Sequence, residues 1–155
     1  MDRWLSNLSQ PRQRIDPATL ERYNRRSEPY GLTLSESALQ RLHLLRTEVL
    51  QQTGRIELGG GVLEKLIIAF CDSPYVVQSK YEDTLAELQE LFYYFKNECR
   101  DLVTDDELLD AMRLIFNSVA HGSVEYLGDI DWETMYRVAV TGSLRGTELL
   151  PPEYE

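Results

Sequence analysis

Histidine is scarce: His43 and His121 are the only two in 155 residues. A Ser-His-Asp triad or an imidazole-rich zinc site therefore has little material to draw on. Cysteine is as thin, with Cys71 and Cys99 both at apolar positions of helical patterns. They read as small buried residues of a reducing compartment rather than as a disulfide. Long apolar runs are missing too, since the densest, residues 62–70, falls far short of the roughly 20 residues that a membrane-crossing helix needs. Residues 1–10 hold only Trp4, Leu5 and Leu8 as large hydrophobes and no apolar leader segment, so a cytoplasmic protein is expected. Positive charge is in short supply, with 16 Lys and Arg against 26 Asp and Glu, a net of -10. Six arginines and four acids give residues 1–30 a local +2, which leaves -12 for the remainder. A body so acidic repels nucleic acid and anionic lipid, so neither is an expected partner, and a basic protein partner suits it better.

The chain does have a clear helical grammar. At 43% hydrophobic and 27% charged, its composition is that of one ordinary globular domain. The organising stretch is the central segment of about residues 62–72, entered through Gly59, Gly60 and Gly61 and closed by Pro74. Its Val62, Leu63, Leu66, Ile67, Ile68, Ala69 and Phe70 point in nearly every direction, which predicts a short central helix buried all round. Asp16-Pro17 predicts the start of a short Arg-rich helix, and Ser35 predicts the cap of a second that ends at Gly54. Arg46 falls on the apolar face of that second helix, either snorkelling to water or held in a partly buried ion pair. Residues 55–58 read as extended linker.

Ser79-Lys80-Tyr81-Glu82 predicts a capping box opening the longest helix. Its stripe Tyr81, Leu85, Leu88, Phe92, Phe95, Cys99 and Leu102 is spaced by 4, 3, 4, 3, 4 and 3. Thr104-Asp105-Asp106-Glu107 predicts a second box, Ser123 a short turn, and Asp131 the cap of a last helix ending near Gly142. The fold expected is all-α, a single compact bundle of five or six helices spanning residues 16–142. Residues 1–15 form an N-terminal arm and 143–155 a C-terminal tail.

Four segments carry a resemblance: residues 53–67 (TGRIELGGGVLEKLI), 70–75 (FCDSPY), 88–98 with 104–108 (LQELFYYFKNE and TDDEL), and 122–127 (GSVEYL). Together they resemble an uncharacterised family of small acidic bacterial proteins, a domain of unknown function, over about residues 30–140. The resemblance implies a bacterial cytosolic protein encoded beside a second uncharacterised family, which suits a complex. It implies no activity, cofactor or catalytic residue.

Each candidate site has a plainer explanation beside it. Gly59, Gly60 and Gly61 ahead of a helix are the general setting for a phosphate, but without a Gly-Lys-Ser/Thr ending they read as a hinge or a close packing point. Asp105, Asp106 and Glu107 with Asp110 could hold a divalent cation, yet acids in a first turn are accounted for by the helix dipole. Asp72 beside Ser73 has a carboxylate and a hydroxyl but no third member, and reads as a proline turn. No metal and no cofactor are expected. The leading expectation is a non-enzymatic protein-protein interaction module. Tyr93 and Tyr94, off the long helix's stripe, would be its apolar anchors, with Glu90 beside them and a broad acidic face around them. The alternative is a small ligand-binding or enzymatic domain with a pocket near Gly59, Gly60, Gly61 and Asp72.

Overall fold

A computed structural model describes residues 15–57 and 61–149. Gly59, Gly60 and the arm residues Trp4, Leu5 and Leu8 lie outside the described residues. Among the described residues the fold is all-α, as the capping and periodicity predict. The helices are α1 (Pro17–Ser27), α2 (Glu36–Thr53), α3 (Leu63–Phe70), α4 (Tyr81–Glu98), α5 (Asp105–Asn117), α6 (Val124–Gly128) and α7 (Trp132–Thr141). Single 3-10 turns, Glu28–Tyr30 and Gln78–Lys80, follow α1 and precede α4.

Local chemistry sets most of these boundaries. Asp16 accepts a hydrogen bond from the Ala18 amide, Ser35 from Ala38, Ser123 from Tyr126 and Asp131 from Thr134, so each satisfies an amide that has no partner inside its helix. Thr104 and Glu107 close the reciprocal box that their spacing predicts. The box expected at Ser79 does not form. A 3-10 turn occupies Gln78–Lys80, and α4 starts at Tyr81 without a side-chain cap. Gly54 and Gly142 end α2 and α7 in the left-handed conformation that glycine adopts without strain.

Packing revises the central-helix picture. In α3 Leu63, Leu66, Ile67 and Phe70 are buried, but Ile68 is 47% exposed and Lys65 faces out, so one side of this helix meets solvent. It packs against α1, α4 and α5, whereas α4 packs against α2, α3, α5, α6 and α7. Buried on so many sides, α4 shows solvent only a narrow stripe of Asp83, Glu87, Glu90, Tyr94 and Glu98, spaced by 4, 3, 4 and 4. The apolar stripe stops at Cys99, and Leu102 lies beyond the helix at 66% exposed. Leu144 and Leu149 lie against the core, so residues 143–149 belong to the packed body and not to a free tail. Both cysteines are free and buried. No helix among the described residues is long and apolar enough to cross a membrane.

Candidate functional site

Arg46 of α2, Glu57 and Tyr93 of α4 form a polar cluster that sequence periodicity leaves ambiguous. Arg46, 9% exposed, donates from Nε to Glu57 Oε1 at 3.2 Å. The Tyr93 hydroxyl donates to the same oxygen at 2.7 Å. Arg46 is thus held in the partly buried ion pair rather than snorkelling. Burial, reinforced by the Glu57 carboxylate as acceptor, raises the Tyr93 pKa well above that of an ordinary phenol. Gly61 sits on top of this cluster with φ of +68°, where a Cβ would collide with Arg46 Nε and Glu57 Oε1. Its glycine is therefore needed for close packing and for backbone conformation together.

Two of the residues expected at a surface site must be reassigned. Tyr93 is fully buried. It is off the apolar stripe because its ring fills the space between α4 and the Arg46–Glu57 pair, so it is not available as a surface anchor. The alternative pocket also comes apart. Gly61 precedes α3 and Asp72 follows it, so they stand at opposite ends of a helix of 8 residues, roughly 12 Å long at about 1.5 Å per residue. Asp72 is engaged elsewhere, its two carboxylate oxygens paired with the two terminal nitrogens of Arg113 in α5. Arg113 also donates to the Ala69 carbonyl near the end of α3, which fixes α3 to α5. Ser73 donates to Asn117 Oδ1 at 2.6 Å and accepts from the Tyr75 amide, so its hydroxyl closes the proline turn.

The Arg113 hydrogen bonds hold the Asp72 carboxyl below its ordinary value of about 3.9. A depressed folded pKa adds stability that is fully present above the unfolded value and is lost as pH falls through the folded one. The stability difference between the protein and Asp72→Asn should therefore be flat from about pH 5 to 7 and shrink below about pH 4. A urea-unfolding series across that range measures it, and a difference that grows on acidification would contradict the pairing.

The acids expected to form one broad face divide into separate groups. Glu82 and Asp83, at the start of α4, both pair with Arg41 at 2.9 Å. Asp105 pairs with Lys96 at 2.8 Å, near the other end of α4, and Asp106 with Lys65 of α3 at 3.2 Å. Among the described residues no three His, Cys, Asp or Glu side chains are grouped to hold a metal ion.

A different surface gathers around the C-terminal end of α4. Arg55, just after α2, donates from Nε to Asn97 Oδ1 at 2.7 Å and from Nη2 to Asp101 Oδ1 at 2.5 Å. Three exposed large apolar side chains flank this clasp along the chain: Ile56, 88% exposed, follows Arg55, Leu102, 66% exposed, follows Asp101, and Tyr94, 48% exposed, comes three residues before Asn97. Tyr94 lies one turn before Asn97 on the same side of α4, and Glu90 one turn before Tyr94. The turn that delivers Leu102 is strained, for Arg100 and Asp101 have φ of 54° and 59° without being glycine. Successive left-handed residues of this kind cost roughly 1 to 2 kcal/mol each and persist only where their surroundings hold them. Here the backbone hydrogen bonds from Arg100 to Asn97 and from Asp101 to Lys96 hold them, together with the Arg55–Asp101 pair. Tyr94 and Glu90 were legible as surface residues from their position off the stripe. Ile56 and Leu102 were not, because one read as linker and the other as core.

This is a helical bundle with an apolar, arginine-clasped surface at one end of its most enclosed helix. The chain belongs to a family of unknown function (DUF6323), whose family model matches residues 19–143. The match runs from within α1 to just past α7, and so includes most of the Arg-rich α1 that the resemblance over about residues 30–140 leaves out. No curated protein matches the chain. No solved structure matches it either.

Proposed function

We propose that the chain is a non-enzymatic protein-protein interaction module that docks through the C-terminal end of α4. The observation that carries this reading is the strained turn at Arg100 and Asp101, which sets Leu102 in solvent at the end of α4, where Tyr94 and Ile56 are exposed as well. A fold that relaxed this turn would regain the strain energy, and burying Leu102 would add about 1.5 to 3 kcal/mol of transfer free energy. Holding the leucine outward therefore has a use outside the monomer. Aromatic and arginine side chains at the centre with charged residues at the rim are the usual composition of a docking surface, and Tyr94, Arg55, Glu90 and Glu98 supply it. The ligand-pocket reading has less support, since Gly61 and Asp72 stand at opposite ends of α3 and Asp72 is satisfied by Arg113.

Affinity purification from the native cell tests the proposal, with the full chain and its Tyr94→Ala/Leu102→Ala variant as baits. Both side chains are exposed, so the variant should fold. A stoichiometric partner is expected on the full chain and reduced at least about tenfold on the variant, as for truncated interface anchors. Recovery of no partner removes the interaction reading. Undiminished recovery on the variant removes this surface.

A further inference from the structure

The exposed stripe of α4 does not stand alone, because α2 lies beside it. Arg41 near the start of α2 reaches Glu82 and Asp83 at the start of α4, and Arg55 after α2 reaches Asn97 and Asp101 at the end of α4. The two helices therefore run parallel, and a groove lies between them with the Arg41 clasp at one end. From Arg41 to Gln52 the groove extends roughly 16 Å at about 1.5 Å per residue. Its floor is Leu45 and Val49 of α2 with Ala86 of α4, and its walls carry Glu48, Asp83, Glu87 and Glu90. Asp83 is neutralised by Arg41. Glu48, Glu87 and Glu90 are exposed and form no ion pair with a described residue. Gln89 lines the same groove at 1% exposed; its Nε2 donates to the Leu42 carbonyl, while its Oε1 is buried with no hydrogen-bond partner among the described residues.

We propose that this groove seats a basic amphipathic helix of a partner protein, an inference that rests on the interaction reading above and assigns its partner's chemistry. A straight, helix-walled trough with an apolar floor is the shape that receives the apolar face of a helix, read at i, i+3, i+4 and i+7. The three unpaired glutamates require Lys or Arg along both edges of that face. Tyr94 follows one turn beyond Glu90 on the same exposed stripe of α4. Phosphate-bearing ligands are disfavoured by the same three carboxylates.

The probe is a synthetic 18-residue Leu/Lys peptide of helical period, at about 8 Å Debye screening, compared with a scrambled peptide of equal composition. Fluorescence anisotropy follows binding to the full chain. Two charge-matched variants separate site from net charge: Glu48→Gln/Glu87→Gln/Glu90→Gln in the groove, and Glu125→Gln/Asp129→Asn/Glu133→Gln on α6 and α7. The periodic peptide should bind about tenfold more tightly than the scrambled one, and the groove variant should lose about tenfold while the control stays within about twofold. Equal binding of both peptides, or equal loss in both variants, overturns the inference in favour of attraction by net charge alone. A native partner lost with Tyr94→Ala/Leu102→Ala but retained undiminished by the groove variant also overturns it, and leaves the interaction reading standing. Failure to recover any native partner removes that reading and the inference together.

Discussion

Ile67→Ala and Phe70→Ala should each lower the unfolding free energy by about 2 to 5 kcal/mol, and Ile68→Ala by less than about 1 kcal/mol. The three residues are close neighbours in α3, and their sequence environment treats them alike. Their surroundings do not. Ile67 is fully enclosed, Phe70 is 1% exposed and meets Phe116 edge-on with ring centroids 5.3 Å apart, and Ile68 is half in water. Truncating an enclosed side chain removes its transfer free energy and leaves a cavity, whereas truncating a half-exposed one lets water fill the gap. Urea unfolding measures the effect as a shift in midpoint at constant slope. Losses under about 1 kcal/mol for both Ile67 and Phe70 would place α3 on the surface and dissolve the core described above.

Glu57→Ala should cost about 2 to 4 kcal/mol, more than the double change Arg46→Met/Glu57→Met. Glu57 Oε1 is the common acceptor for Arg46 Nε and the Tyr93 hydroxyl, so its loss strands a cation and a donor at once. The two charged side chains are only 10% and 18% exposed, which leaves water little access for compensation. Removing both charges avoids the stranded cation, and for that reason the double variant should be the more stable of the two. The same unfolding experiment applies to each. A single variant as stable as the parent would show that Arg46 reaches solvent, and that the loop ahead of α3 is held by other means.

These contrasts explain how far the sequence could be read. Helix starts at Asp16, Ser35, Thr104 and Asp131 were legible because a cap is a local event, settled within one turn, and Ser123, which reads as opening a short turn, caps a helix of 5 residues. Ser79 and Glu82 have the same spacing and chemistry as Thr104 and Glu107, but Ser79 lies inside a 3-10 turn, and α4 starts after Lys80 without a side-chain cap. Periodicity assigned the core side of α4 correctly and misplaced Tyr93, since the test assumes one buried side and α4 is enclosed on most of its circumference. Gln89 and Lys96 are buried for the same reason, each with a polar atom satisfied by a carbonyl from elsewhere, of Leu42 and of Val103. The Glu57 partner of Arg46 lies in a loop with no period, and Leu102 continued the spacing of a helix that had already ended. What the letters alone could not supply is the identity of neighbours brought in from other parts of the chain.

The parallel course of α2 and α4 has a consequence for how the molecule assembles. Helices joined by a short turn run antiparallel and can close as a hairpin from the loop outward. Here the chain leaves α2 at one end of the pair and has to return to the other end, by way of α3, before α4 can begin. Every hydrogen bond that fastens the two together, from Arg41 to Glu82 and Asp83, from Gln89 to Leu42 and from Arg55 to Asn97 and Asp101, joins residues 41 to 47 positions apart. Such contacts return nothing until a long loop has closed, so this bundle has a higher contact order than an up-and-down bundle of equal size and should fold more slowly. The acidic groove is accordingly a late product of folding. It cannot form in any fragment that lacks residues of α3, and a partner that reads it reads the completed fold.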